Sequence, residues 1–212
     1  MFTWISKTGA ALAACVMLAA CLPTLPGSGA GVASRSMLVS SGAVNVTGPA
    51  GYCIDKGSSR DGAEGAFVLL GACAPLSGSV GATATTQRAL LTASVLPGVS
   101  SGPIGESFPI MAKFFRSPAG QAALSRSGDA KTVTVQKVAS RNGVLYMQLS
   151  DTAKTSRQRV EPGYWRAILS VRGRMVTLSV LGLPGYPVPD AEKRKILDAF
   201  VAKMRAANPN AT

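Results

Sequence analysis

The chain has 212 residues, with 22 Lys and Arg, 10 Asp and Glu and no His, so its formal net charge is +12. The lack of histidine removes the commonest general base and metal ligand, which argues against histidine-dependent hydrolases and zinc sites. The excess of positive charge instead favours an anionic partner.

An apolar run from Gly9 to Ala20 follows a single cation, Lys7. It is too short to span a bilayer, which needs roughly 20 apolar residues, but it is typical of a secretory signal. The run closes on Leu18-Ala19-Ala20-Cys21, which resembles the lipobox of bacterial lipoproteins. In that family the cysteine is acylated, commonly with palmitate, and becomes the first residue after cleavage. The resemblance implies a signal peptide over residues 1–20 and a lipid anchor on Cys21 that holds the protein in the cell envelope, facing the periplasm.

Other interpretations of this terminus remain open. Cys15 ends the same motif, but the apolar run before it is too short for a signal. A buried N-terminal helix with incidental cysteines, or a secreted protein cleaved near Ala33, would also fit. Leu22 follows Cys21, and in enteric-type sorting only aspartate at that place strongly retains a protein in the inner membrane. The outer membrane is therefore favoured.

Residues 21–36 comprise the lipidated cysteine and a linker rich in Pro and Gly, which deny it regular structure. About 14 flexible residues have an r.m.s. reach of about 20 Å, so the folded part would lie just off the membrane. Residues 37–207 are predicted to form a single α+β domain, and residues 208–212 a disordered tail.

Cys53 and Cys73 are the cysteines that remain once the signal is removed, and outside the cytoplasm such a pair predicts a disulfide. They lie in predicted strands on either side of a polar, turn-rich segment, Lys56 to Gly65, so these strands are expected to be antiparallel neighbours. A redox dithiol usually has both cysteines in one tight turn. Two free buried thiols remain the alternative, and two cysteines without histidine are too few to bind zinc.

Period-two or continuously apolar segments predict strands. These are residues 43–47, 52–55, 67–73, 89–96, 131–138, 144–149, 164–171 and 174–181. Asn142-Gly143 and Arg172-Gly173 predict tight turns in two hairpins. Because side chains alternate along a strand, Arg166 is expected on the face opposite Trp165 and Ala167.

Two helical regions interrupt and follow the strands. The first, Ser107 to Ser125, is expected to break or kink at Ser117-Pro118, where Ser117 would cap its second part. The second is expected to begin near Asp190, as its N-cap, and to end near Ala206. The sequence therefore predicts an α+β fold, in which an antiparallel sheet with hairpins is covered by one kinked internal helix and a C-terminal helix. An N-terminal signal helix and a flexible tether would precede it.

Four segments are distinctive: Gly51–Asp55 (GYCID), Phe67–Cys73 (FVLLGAC), Ser117–Leu124 (SPAGQAAL) and Tyr164–Leu169 (YWRAIL). Together with the lipobox they resemble a family of uncharacterised proteobacterial lipoproteins, over most of the mature chain. That family has no established activity to carry over. The order of elements is similar to that of the PsbP-like α/β sandwich, which implies a class of fold but no function.

Little in the chain points to catalysis. The segment from Gly98 to Gly102 matches the Gly-x-Ser-x-Gly pattern of serine hydrolases, but no histidine exists to accept the serine proton. No Ser-x-x-Lys motif occurs, and the acidic residues are scattered singly. We therefore predict no catalytic residue, no metal and no cofactor. A hydrolase with a non-histidine nucleophile, of the Ser–Lys type, is the alternative.

The cations concentrate in the second half of the chain. Six of them are expected to form one surface for an anionic partner if residues 154–159 fold beside the last hairpin: Lys154, Arg157, Arg159, Arg166, Arg172 and Arg174. A solvated basic face that only aids solubility is the alternative. No nucleic-acid-binding motif occurs. The sequence thus predicts a membrane-anchored, non-enzymatic lipoprotein that binds anionic lipid, glycan or an envelope protein.

Overall fold

The structure is a computed structural model that describes residues 34–77, 89–99, 104–154 and 160–209. The strands of this part are β1 (Ser36–Val39), β2 (Val44–Thr47), β3 (Tyr52–Gly62), β4 (Gly65–Ala72), β5 (Ala89–Val95), β6 (Val133–Arg141), β7 (Val144–Asp151), β8 (Gly163–Val171) and β9 (Arg174–Gly182). Its α-helices are α1 (Cys73–Ser77), α2 (Phe108–Arg116), α3 (Pro118–Leu124) and α4 (Asp190–Ala206). Single 3-10 turns precede α2 and β6, at Ile104–Ser107 and Ala130–Thr132. The predicted signal helix and residues 21–33 of the predicted linker lie outside the described residues.

Seven strands form one antiparallel sheet in the order β3-β4-β5-β9-β8-β7-β6, and β1 pairs with β2 in a separate hairpin. Hairpins join β3 to β4, β6 to β7 and β8 to β9. The central pairing of β5 with β9 joins residues that are far apart in sequence. The predicted α+β fold with an antiparallel sheet is confirmed.

The first face of the sheet carries the larger core, because it is covered by α4 and by the β1–β2 hairpin. The alternation on β8 predicted which residues point this way: Trp165, Ala167 and Leu169 belong to this core. From the helix side it receives the apolar stripe of α4, namely Ile196, Leu197, Phe200, Val201 and Met204.

On the second face of the sheet, the helices of the described residues pack mainly over β6, β7 and β8. Leu145, Met147 and Leu149 of β7 pack there with Phe108 and Leu124 of the α2–α3 region. Over β4 and β5, the side chains that point to this face are half-buried rather than buried. The second face therefore keeps a partly open area next to α3.

The internal helix breaks where the sequence predicted. Ser117 lies between α2 and α3, and its side chain accepts a hydrogen bond from the N–H of Gly120, with Pro118 at the first helical position. A Cβ atom on Gly120 would meet main-chain atoms of Phe114, so only glycine allows the two helices to approach this closely. The region is thus two short helices rather than one kinked helix.

The start of α4 differs from the prediction by one residue. Pro189, with φ −57° and ψ 144°, is the N-cap residue, and Asp190 is the first residue of the helix. Proline favours this backbone because its ring fixes φ near −65°. Asp190 instead accepts a hydrogen bond from Gln148 Nε2 at 2.9 Å, which links the helix to β7.

Both predicted hairpin turns are confirmed. Asn142 and Gly143 have φ of 50° and 67°, and Arg172 and Gly173 have φ of 49° and 73°. Positive φ at both central residues is the requirement of the turn type that matches the twist of antiparallel strands.

The predicted turn-rich segment from Lys56 to Gly65 is wrong, because β3 continues to Gly62 with a bulge between Asp55 and Arg60. The Asp55 carboxylate accepts hydrogen bonds from the N–H and the hydroxyl of Ser58, and Ser59 Oγ accepts one from Leu69 N–H. The polar residues that suggested a turn instead satisfy the backbone at the bulge.

Structural contacts of the described residues extend beyond the predicted domain boundaries at both ends. Ser34 bridges to Ile54 and β1 begins at Ser36, two residues that the sequence assigned to the linker. Asn208, assigned to the tail, is buried and exchanges hydrogen bonds with the main chain of Asn45 at 2.7 and 2.8 Å. This amide ties the end of α4 to β2.

Candidate anion-binding surfaces

The predicted disulfide is confirmed. Cys53 and Cys73 are bonded, with their Cα atoms 4.8 Å apart, and β3 and β4 are antiparallel neighbours. Cys73 lies at the first residue of α1 rather than at the end of a strand. The bond therefore closes the open end of the β3–β4 hairpin.

Removal of this bond is expected to destabilise the protein. For a closed loop of 20 residues, the Cys53→Ala, Cys73→Ala double variant should lose about 3 kcal/mol of unfolding free energy, because the unfolded chain gains conformational freedom. Urea unfolding of both proteins measures the loss, and wild type unfolded with a reductant should match the variant. Equal unfolding midpoints would contradict the prediction.

The structure separates the cations that were expected to form one surface. Arg172 and Arg174 lie at the turn between β8 and β9, whereas Lys154 follows the far end of β7, which pairs with the beginning of β8. The nine residues of β8 separate these two ends by about 30 Å. Arg157 and Arg159 lie outside the described residues.

Arg172 and Arg174 instead share their end of the sheet with Arg205. The β6–β7 and β8–β9 turns lie at the same end because Val144 pairs with Leu169. Arg205, on the last turn of α4, donates from Nη2 to the carbonyl oxygen of Asn142 at 2.6 Å. We call the surface formed by Arg172, Arg174 and Arg205 the hairpin-end surface.

Contacts with neutral backbone hold two of these three guanidinium groups. Arg174 donates from Nη1 to the carbonyl oxygen of Gly98 at 3.1 Å, and Arg205 donates a hydrogen bond to the carbonyl oxygen of Asn142. Both contacts order the side chain without cancelling its charge. Arg205 also lines a cavity of about 290 Å³ together with Ser170 and Asn208. The surface is therefore ordered and positively charged.

Apolar side chains accompany these cations. Val99 is 69% exposed and Leu96 is 43% exposed. Val99 lies against the β8–β9 turn, where a Cβ built on Gly173 would come within 2.9 Å of its Cγ1. Exposed apolar residues next to cations are the combination found at the boundary between lipid headgroups and acyl chains.

The ion pairs of the acidic residues involve cations other than those of the hairpin-end surface. All ten lie in the described part: Asp55, Asp61, Glu64, Glu106, Asp129, Asp151, Glu161, Asp190, Glu192 and Asp198. Within that part, their ion pairs are with Arg126, Arg141, Lys193, Arg194 and Lys195. No Asp or Glu in the described residues forms an ion pair with Arg166, Arg172, Arg174 or Arg205.

Two cations of α4 have structural roles that the sequence did not reveal. Lys193 is buried, donates to the carbonyl oxygen of Gly163 at 2.8 Å and pairs with Glu161 at 3.0 Å. Arg194 lies 3.8 Å from the centroid of the Tyr146 ring, and Asp198 pairs with it at 3.1 Å. Burial, followed by the nearby Asp198 carboxylate, raises the pKa of Tyr146. These contacts fasten α4 to the sheet.

Arg166 occupies a different place from the other predicted cations. As expected, it points to the face opposite Trp165, and there it lines a cavity of about 120 Å³ beside α3. We call this cavity the sheet-face pocket; Phe67, Leu124 and Leu181 also line it. Arg60 lies over the Phe67 ring, 5.0 Å from its centroid. The alternation predicted the face of Arg166 but not the pocket, which needs α3 as a wall.

Neither a metal site nor a membrane-spanning helix is found in the described residues. They contain no group of three or more His, Cys, Asp or Glu side chains that could hold a metal ion. Among their helices, none has the length and apolar character needed to cross a bilayer.

Comparisons of this chain with protein-family models, with curated proteins and with solved structures find no match.

Proposed function

We propose that this protein is a lipid-anchored, non-enzymatic binding module of the cell envelope, and that its hairpin-end surface binds an anionic membrane. The observation that carries the proposal is the set of three arginines that no carboxylate of the described residues neutralises. The exposed Val99 and Leu96 beside them favour a lipid surface over a glycan or a soluble protein.

The predicted anchor is compatible with this orientation. Cys21 would hold the chain to the membrane, and Ser34, the first described residue, pairs with Ile54 near the beginning of β3. The residues of β3 that follow Ile54 extend to Gly62, so Ser34 lies about 25 Å, measured along the strands, from the end of the sheet that carries the hairpin-end surface. The intervening 13 residues reach about 45 Å when extended. This tether would let the hairpin-end surface face the bilayer that holds the anchor.

A double charge reversal tests the proposal. Arg172→Glu with Arg174→Glu should weaken binding to vesicles rich in phosphatidylglycerol by at least about 30-fold at low salt. A cation near such a surface contributes about 1 kcal/mol, and about 2 kcal/mol corresponds to this factor. The effect should shrink as salt rises, because the Debye length falls from about 30 Å at 0.01 M to about 8 Å at 0.15 M.

The measurement is vesicle flotation of the mature chain with Cys21→Ser, so that no acyl chain drives binding. Lys131→Glu with Lys154→Glu is the matched control, because it changes the net charge equally at the opposite end of the sheet. The control should bind nearly as wild type does, and both variants should keep the wild-type melting temperature. Equal loss in the two variants would show that only net charge matters, and no loss in either would reject the membrane surface.

The most buried lysine of the described residues, Lys193, gives no support to the alternative of a Ser–Lys hydrolase. Lys193 Nζ contacts a main-chain carbonyl and two carboxylates, those of Glu161 and Asp190, rather than a serine hydroxyl. Ser100 of the Gly-x-Ser-x-Gly match lies outside the described residues. The binding module is therefore the function we propose.

A further inference from the structure

The sheet-face pocket lies on the second face of the sheet, far from the hairpin-end surface. Its floor runs across three strands, because Thr92 of β5 lies directly opposite Ser179 of β9, and Ser179 lies directly opposite Arg166 of β8. Leu124 at the end of α3 forms a wall, and all four residues line the cavity. The pocket thus has a polar floor with one positive charge.

Two neighbouring side chains hold Arg166 in place and leave its charge unpaired among the described residues. Its Nε donates to Ser179 Oγ at 3.1 Å, and its guanidinium lies 5.4 Å from the centroid of the Tyr164 ring. Among the described residues, neither of its two Nη groups has an acceptor and no carboxylate pairs with it. Two parallel N–H groups of a guanidinium match the two oxygens of a carboxylate.

The other arginine of the pocket is already neutralised. Arg126 donates from Nε and from its main-chain N to Asp151 Oδ2, each at 2.9 Å, and from Nη2 to the Asp151 carbonyl oxygen. Asp151 is fully buried. Among the residues that line the pocket, Arg166 is therefore the one whose charge is left over, and Arg60, over the ring of the lining residue Phe67, is a second cation without an ion pair in the described residues.

The rest of the lining limits the body of the ligand. Phe67, Leu124 and Leu181 present apolar surface to the cavity. Its volume is about 120 Å³, and a dry apolar cavity of about 150 Å³ accepts benzene. At about 120 Å³ the pocket is smaller than that cavity, so a short chain of carbons fits inside it, whereas a ring fits only with part of it outside.

We infer that the sheet-face pocket binds a monocarboxylate with a small apolar body, whose carboxylate is held by Arg166 and whose body packs between Phe67, Leu124 and Leu181. Such a group occurs on a free organic acid and at the C terminus of a peptide. The inference does not depend on the membrane proposal, because the two sites share no residue.

A titration of the full-length chain, in neutral detergent, with benzoate as the probe tests the inference. Binding is monitored by ligand-observed NMR. Benzoate should bind at least tenfold more tightly than benzamide, which lacks the charge, and than inorganic phosphate, which lacks the apolar body. A charged hydrogen-bonded pair is worth at least this factor. N-acetylphenylalanine distinguishes the sources: tighter binding than benzoate assigns a peptide C terminus, and weaker binding assigns a free acid.

Variants locate the binding. Arg166→Gln should weaken benzoate binding at least tenfold, whereas Arg141→Gln, the same change in an exposed arginine at the end of β6, should leave it within threefold. Thr92→Glu should also abolish binding, because its carboxylate would pair with Arg166 in place of the ligand, and Thr92→Gln should retain it. The Thr92 pair keeps the test valid if Arg166→Gln fails to fold. Equal binding of benzamide and benzoate, tighter binding of phosphate, or full binding by Thr92→Glu would overturn the inference.

Discussion

Replacement of Asp151 by alanine is expected to lower the unfolding free energy by about 3 kcal/mol. Asp151 is fully buried and pairs with Arg126, whose side chain is only 20% exposed. Its second oxygen accepts a hydrogen bond from the N–H of Ala153 at 2.9 Å. The substitution leaves Arg126 Nε and the main-chain N–H groups of Arg126 and Ala153 without their carboxylate acceptor, in a place where water cannot fully replace it.

Urea unfolding at neutral pH measures this loss, and a matched pair of variants shows its origin. Asp151→Asn keeps the shape and one acceptor but removes the charge, so it should lose less than Asp151→Ala. Arg141→Ala breaks a mostly exposed pair, with Asp198 at 3.9 Å, and should change stability by less than about 1 kcal/mol. A similar loss in Asp151→Ala and Arg141→Ala would show that burial of the pair contributes nothing.

The same pair makes stability depend on pH. Burial raises the pKa of Asp151, but hydrogen bonds from Arg126 and Ala153 outweigh it and hold the pKa below its ordinary value. A group with a lowered folded pKa stabilises the protein above its unfolded pKa, about 3.9, and loses this contribution as the pH falls through the folded pKa. The difference in stability between wild type and Asp151→Asn should therefore be largest near neutral pH and shrink below about pH 4.

The Cys21→Ser variant is expected to incorporate no fatty acid. Acylation of a lipoprotein needs the cysteine thiol, and cleavage follows acylation, so the variant should accumulate as an uncleaved precursor. Cys15→Ser should be labelled, cleaved and localised as wild type is, because Cys15 would leave with the signal peptide. This pair tests the anchor that the membrane proposal requires.

Metabolic labelling with palmitate and fractionation of the envelope give the result. Label in the Cys21→Ser protein, together with loss of label in Cys15→Ser, would move the anchor to Cys15. Label in neither wild type nor variants would reject the lipoprotein assignment.

Local patterns in the sequence were sufficient to predict most elements. The alternation along residues 164–171 identified both faces of β8, and Asn142-Gly143 identified a hairpin turn with positive φ. The disulfide partners were also predictable, because Cys53 and Cys73 are the two cysteines left after the predicted signal and lie only 20 residues apart. Each of these features depends on residues close together in sequence, where period and turn chemistry determine the structure.

The sequence failed where distant parts of the chain decide the outcome. β1 has no pattern of its own and forms because it pairs with β2 above the sheet. The bulge of β3 depends on Ser59, which replaces a ladder partner for Leu69 of β4. Short or irregular strands are stabilised by their neighbours more than by their own residues.

The candidate sites show the same division. Charge counting identified Arg166, Arg172 and Arg174 as cations, and alternation identified the face of Arg166. Only the register of β7 against β8 placed Lys154 at the opposite end from Arg172, and only α3 made a pocket around Arg166. The residue type and the period of a strand determine what a side chain is and which face it takes. Its partners depend on strand pairing and helix packing, which arise from burial summed over the whole core.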